Sequence, residues 1–291
     1  MTTVSTYHYA GFEYIQPCLG TGSASPPGWQ AITSLPLIII VGVTGTGKTT
    51  LINNLANVGY DFELLPDRRN LTDQLIITPL QREDNQDVRT LPRMQRVPYI
   101  RRYKQRHPAG LAYAISQLYV DSASCNKFWI FNGLRGESEI NYAIDAFPKA
   151  QFIVLDASNI VRAQRLLKRK DPYDRMTKFK QDNNSMLEEV DSFAALGIPE
   201  AAKFFSFDEE QMLLEMARNG SVTLQELRDI LQLLCVESSL YNKDETIATL
   251  FSLAPERTLI IDTTTLNLKE VTAKIIGRFQ ELGIRKSTLN T

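Results

Sequence analysis

Gly42-Val43-Thr44-Gly45-Thr46-Gly47-Lys48-Thr49, set directly after the apolar run Leu37-Ile38-Ile39-Ile40-Val41, is the stretch that decides how this 291-residue chain is read. Its spacing is G-x-x-x-x-G-K-T. It stands between a run that reads as a buried strand and one, Thr50-Leu51-Ile52-Asn53-Asn54-Leu55, that reads as a helix. Glycines at 42, 45 and 47 allow positive φ with no Cβ in the way, so the backbone can wrap an anion closely. The amides of the loop, Thr44 and Thr46 among them, and those of the helix start at Thr49 and Thr50 then point at phosphates. Lys48 is expected to reach the β- and γ-phosphates, and the Thr49 hydroxyl to ligate Mg²⁺. The expectation is a site for a nucleoside triphosphate, ATP with Mg²⁺.

Composition narrows the alternatives. The net charge of −1 argues against a general nucleic-acid or membrane surface, although a local patch stays open. Cys18, Cys125 and Cys235 lie far apart with no C-x-x-C pair, so their spacing makes neither a metal site nor a disulfide framework. With His8 and His107 as the only histidines, imidazole chemistry has little raw material. No apolar stretch approaches the ~20 residues of a membrane-spanning helix, and no secretory signal is seen. A cytoplasmic location is expected.

Outward from the loop the chain alternates strand and helix. Tyr60–Leu65 reads as a second strand and 108–120 as a helix with Pro108 at its first position. Phe128–Phe131 and Gln151–Leu155 read as buried strands, each followed by a helix (Ile140–Phe147, and Ser158 to about Lys170). Thr258–Ile261 reads as a last strand before a closing helix, Leu268–Leu282. Short apolar strands alternating with helices predict an α/β fold, a parallel sheet with helices on both faces. Between Asp171 and Pro255 the strand signal vanishes. Met186–Leu196, Asp208–Arg218, Leu224–Leu234 and Glu245–Leu253 have helical spacing, with a capping box at Thr223 and Glu226. An all-helical insertion before the last strand is expected. Residues 1–34 read as an N-terminal arm and linker, with Tyr7, Tyr9, Phe12 and Tyr14 able to form a short strand pair. The predicted division is 1–34, a core over 35–175, a helical insertion over 176–255, and the last strand and helix of the core over 256–291.

Asn132-Gly133-Leu134-Arg135 after a buried strand, Val154-Leu155-Asp156, and Arg165-Leu166-Leu167-Lys168-Arg169 together resemble P-loop kinases of the nucleoside-monophosphate-kinase type. So does Ile260-Ile261-Asp262-Thr263 before the final helix. The resemblance covers about residues 35–175 and 256–284. It implies that Arg165 lies over the nucleotide base, that Arg169 meets phosphates, and that Arg175 is the arginine of a mobile lid. A local ion pair in Asp171-Pro172-Tyr173-Asp174-Arg175 is the alternative for Arg175. Independently of the resemblance, Arg162, Arg165 and Arg169 fall within about 60° of one another on a helix, a guanidinium stripe suited to phosphate oxygens. A solvated basic face is the other reading.

On the acceptor side, Pro66-Asp67-Arg68-Arg69 follows the second strand. Asp67 is a candidate general base, and Arg68, Arg69 and Arg135 are candidates for holding an anionic acceptor; a charged surface turn is the alternative. The segment 89–106, rich in arginine and carrying Tyr99 and Tyr103, suits either a nucleic-acid end or a loop closing over a small phosphorylated acceptor. Asn132 stands where the resembling kinases carry an aspartate that orders Mg²⁺. Glu137, Glu139 or Asp156 could compensate, and Glu137 is the preferred metal candidate. Asn242-Lys243-Asp244-Glu245 reads as a helix start. Lys48, Asp67, Arg169 and Arg175 therefore make up the expected catalytic set of an ATP-dependent phosphotransferase acting on an anionic small-molecule or phosphorylated acceptor. The alternatives are an ATP-binding regulatory switch or ATPase that uses the helical insertion as a partner surface, and a kinase of nucleic-acid 5′ ends.

Overall fold

The computed structural model describes residues 10–121, 123, 127–169 and 190–286. In chain order the strands are β1 (Phe12–Gln16), β2 (Leu19–Gly22), β3 (Trp29–Ala31), β4 (Leu37–Val41), β5 (Phe62–Leu64), β6 (Leu118–Asp121), β7 (Phe128–Phe131), β8 (Gln151–Asp156) and β9 (Thr258–Asp262). The helices are α1 (Lys48–Asn57), α2 (Arg68–Thr72), α3 (Thr78–Glu83), α4 (Arg93–Arg106), α5 (Leu111–Ser116), α6 (Glu137–Ala146), α7 (Asn159–Arg169), α8 (Phe207–Arg218), α9 (Leu224–Leu240), α10 (Lys243–Leu253) and α11 (Leu268–Glu281). A π-helical turn, Asp73–Ile77, joins α2 to α3.

The larger sheet has the order β5-β7-β4-β8-β9, and every neighbouring pair is parallel. Its central strand β4 is Leu-Ile-Ile-Ile-Val, and none of the five residues exceeds 3 % exposure. Side chains alternate between faces along a strand, so a sheet covered on both sides needs apolar residues at every position. Leu37, Ile39 and Val41 join Trp129, Phe131, Phe152 and Val154 in one core. On the opposite face Ile38 and Ile40 join Phe128, Ile130, Ile153 and Leu155 in another.

Helices cover both faces. Leu51, Ile52 and Leu55 of α1 and Val271, Ile275 and Phe279 of α11 close the second core, and Asn54 Nδ2 donates to Thr272 Oγ1 across the helix pair (2.7 Å). Ile140, Ala143 and Ile144 of α6 and Leu250 of α10 close the first. A third core lies outside the sheet. There, Ala163, Leu166 and Leu167 of α7 meet Leu213, Leu214 and Ala217 of α8 and Leu227, Leu231 and Leu234 of α9. The capping box at Thr223 and Glu226 starts α9 as expected, and Asn242 caps α10.

Several expectations are corrected. The helix expected over 108–120 ends at Ser116, because Leu118 and Val120 turn inward as alternate residues of β6. β6 completes an antiparallel sheet of order β1-β2-β6-β3, so the strand pair allowed for at Phe12 and Tyr14 is β1 with β2, and within the stretch expected as arm and linker β1, β2 and β3 join a sheet with β6. Tyr7 and Tyr9 lie outside the described residues. The second strand is shorter than Tyr60–Leu65, covering Phe62–Leu64. Of the helix expected over Met186–Leu196, residues 190–196 form no helix, with turns over 193–196, and the rest lies outside the described residues. α9 continues to Leu240, past the expected end at Leu234, and turns Cys235 and Glu237 inward. Among the described residues no helix is long and apolar enough to cross a membrane.

Candidate phosphate-binding site

The C-terminal ends of β4, β7, β8 and β9 open on one edge of the sheet, the edge where parallel α/β sheets hold ligands. The loop after β4 has Gly42, Gly45 and Gly47 at φ 152°, 88° and 97°. A Cβ on Gly42 would stand 2.6 Å from the Leu155 carbonyl oxygen, and one on Gly45 would stand 3.1 Å from the Arg162 side chain. Both positions therefore need glycine for space as well as for backbone angle. Thr46 is fully buried; its hydroxyl donates to the Val43 carbonyl (3.0 Å) and its carbonyl accepts from Thr263 Oγ1 (3.1 Å). α1 begins at Lys48, so its unpaired first-turn amides face the loop. Thr49 and Thr50 lie exposed on that turn. The residues present fit a polyphosphate.

Lys48 Nζ donates to the carbonyls of Gly42 (2.7 Å) and Val43 (2.8 Å). Burial, and then the Arg135 charge, push its ammonium down to about 7; Glu237 opposes the shift, and Arg162 and Arg169 add to it. Arg162 donates from Nε to the Thr44 carbonyl (2.9 Å) and from its fork to Asn159 Oδ1 (2.8 Å) and Glu237 Oε2 (2.9 Å). Arg165, expected over the base, donates instead to the Gly45 carbonyl (3.3 Å) and to the hydroxyl (3.0 Å) and carbonyl (2.6 Å) of Thr263, bracing the loop from α7. Arg169 ends α7 within electrostatic reach of Lys48. Arg175 lies outside the described residues.

Glu237 is absent from the residues that the sequence singles out. Its side chain is 2 % exposed, and its carboxylate accepts from the Thr44 amide (3.1 Å), the Thr44 hydroxyl, Arg135 (2.8 Å) and Arg162 (2.9 Å). Burial would raise its pKa, but Arg135, the Thr44 hydroxyl, Arg162 and Lys48 together hold it below the usual carboxylate range. One signal points to it: Glu237 is in helical register with the buried Ile230 and Leu233.

The acceptor-side residues are drawn into local structure. Asp67 caps α2, accepting from the amide (2.9 Å) and side chain (3.0 Å) of Asn70. Arg68 makes a two-pronged pair with buried Glu139 (2.7 Å each) and also holds the Gly133 carbonyl (2.6 Å). Arg69 is exposed, and its carbonyl accepts from Arg96 (3.0 Å). Arg135 reaches Glu237 through its guanidinium and Glu139 through its amide (3.0 Å). Glu137, the metal candidate, is exposed at the start of α6, while Asp156 pairs with Lys243 (3.0 Å). Among the described residues no cluster of three or more His, Cys, Asp or Glu could hold a metal ion. Mg²⁺ held by one hydroxyl and by substrate phosphates needs no such cluster. In the basic segment, Arg96 pairs with Asp73, Arg102 with Glu83 and Asp84, and Arg106 with Glu83.

Residues 38–189 match the family model described as AAA domain. No curated protein matches the chain. Among solved structures, a gluconokinase from Sinorhizobium meliloti 1021 is similar at 14 % identity with a TM-score of 0.35, over 85 % of this chain and 93 % of that one. With its glycine loop, parallel sheet and a family match spanning more than half of its length, the chain belongs to the AAA-domain family.

Proposed function

We propose that the protein is an ATP-dependent phosphotransferase that moves the γ-phosphoryl group to an anionic acceptor. The observation that supports this best is the gathering of Lys48, Arg135 and Arg162 around the glycine loop. Phosphoryl transfer is achieved by positioning and charge neutralisation, which is what such a set supplies. Bound Mg·ATP would supply the phosphoryl group. The loop amides and Lys48 would hold the phosphates, with Thr49 on the metal and Glu137 as a further metal candidate. Arg165 would keep the loop in shape, while Arg169 and Arg175 would cover the transferring group and exclude water. Asp67, Arg68, Arg69 and Arg135 would face the acceptor, Asp67 as its base.

The test is ADP release from Mg·ATP across a panel of hydroxyl and phosphorylated small molecules. Acceptor-dependent release, abolished in Lys48→Ala and slowed about 100-fold in Arg169→Ala, is expected. Release that no acceptor stimulates contradicts the proposal. It would favour a second reading, a nucleotide-dependent switch whose helical segment binds a partner, for which Asn132 at the end of β7 is the supporting observation. A nucleic-acid 5′-end kinase has less support, because acids already partner three arginines of α4.

A further inference from the structure

The donors around Glu237 come from three separate elements: Thr44 from the loop, Arg135 from the turn after β7, and Arg162 from α7. Two guanidiniums, a main-chain amide and a hydroxyl converging on one point form a receptor for an oxyanion. The carboxylate that fills it arrives from α9, far along the chain. Thr44 belongs to the phosphate loop itself, and Lys48, the loop's own cation, is turned back onto the carbonyls of Gly42 and Val43.

We infer that Glu237 is an internal occupant of a phosphoryl subsite, and that a nucleoside triphosphate displaces it and releases the end of α9 from the loop. The inference rests on the reading of residues 42–49 as a phosphate cradle. A carboxylate and a phosphoryl group cannot share these donors, since two anions in one poorly solvated site repel strongly. Displacement loses no hydrogen bonds at the receptor, because phosphate oxygens take over the same donors.

The release would reach beyond the site. Leu227, Leu231 and Leu234 seat α9 in the third core with α7. Only Tyr241 and Asn242 separate α9 from α10, whose Leu250 lies in the first core. The Tyr241 ring lies 5.8 Å from the Arg135 guanidinium, and Lys243 of α10 is paired with Asp156. Glu237 thus links nucleotide occupancy to the helical segment, and lowers the apparent nucleotide affinity by the fraction of molecules in which it is seated.

The experiment combines Mg·ATP titration of the wild type and Glu237→Gln with hydrogen exchange of the wild type over 233–242. Binding about tenfold tighter in Glu237→Gln is expected, together with faster exchange over 233–242 when Mg·ATP is added. Unchanged or weaker binding in a folded Glu237→Gln overturns the inference, as does unchanged or slower exchange in a saturated wild type. Should Glu237→Gln not fold, the exchange measurement decides alone. A wild type that takes up no nucleotide overturns the cradle reading and this inference with it; that result is distinct from a saturable wild type indifferent to Glu237.

Discussion

Two buried carboxylates flank Arg135, and they are satisfied in different ways. Glu139 takes both prongs of Arg68 at 2.7 Å and the Arg135 amide at 3.0 Å. These partners all lie within residues 68–139, and Arg68 also holds the Gly133 carbonyl. Glu237 instead shares donors with the phosphate loop and brings them together from three elements. A closed two-pronged pair fixes one geometry, whereas a carboxylate on a shared receptor can be replaced by another anion. The comparison assigns Glu139 to the architecture and Glu237 to the ligand.

The largest effect that tests this contrast is expected from Lys48→Ala, which should abolish saturable nucleotide binding while leaving Glu237 and Arg162 paired; isothermal titration checks it. Glu139→Ala strands the Arg68 guanidinium and should cost about 3–5 kcal/mol of stability in denaturant unfolding. If Glu139→Ala were harmless, the structural half of the comparison would fail. Gly42→Ala should cost about 1–3 kcal/mol, since its Cβ meets backbone and its φ is positive, and should weaken nucleotide binding. A smaller effect is expected from pH. With Lys48 near 7 in the free protein, phosphates that restore its charge make binding take up a proton at about pH 8. Affinity should therefore fall as pH rises above 7, and calorimetry in buffers of different ionisation enthalpy would detect the proton. Asp67→Ala should cost only about 1 kcal/mol of stability as a lost helix cap, and turnover should fall about 100-fold with the proposed base removed; unchanged turnover would take Asp67 out of the acceptor site.

The loop and the parallel sheet are legible in the sequence because their signals are local. Leu37–Val41 is apolar at every position, and the glycines at 42, 45 and 47 answer a backbone need. β6 is hidden because Leu111, Ile115 and Leu118 keep a helical spacing across the point where the chain turns into a strand; only the pairing with β2 and β3 decides. Glu237 is hidden for a related reason. A glutamate in Val236-Glu237-Ser238-Ser239 looks like the solvated end of a helix until tertiary structure brings Arg135 and Arg162 to it. The pairing of Arg68 with Glu139 is hidden because the two residues lie 71 apart in the chain.

Equilibrium titration of the folded wild type with Mg·ATP tests the central claim most directly. The account predicts saturable binding of one nucleotide per chain that disappears in Lys48→Ala. Folded protein that shows no saturation, or a Lys48→Ala variant that binds as the wild type does, would contradict it.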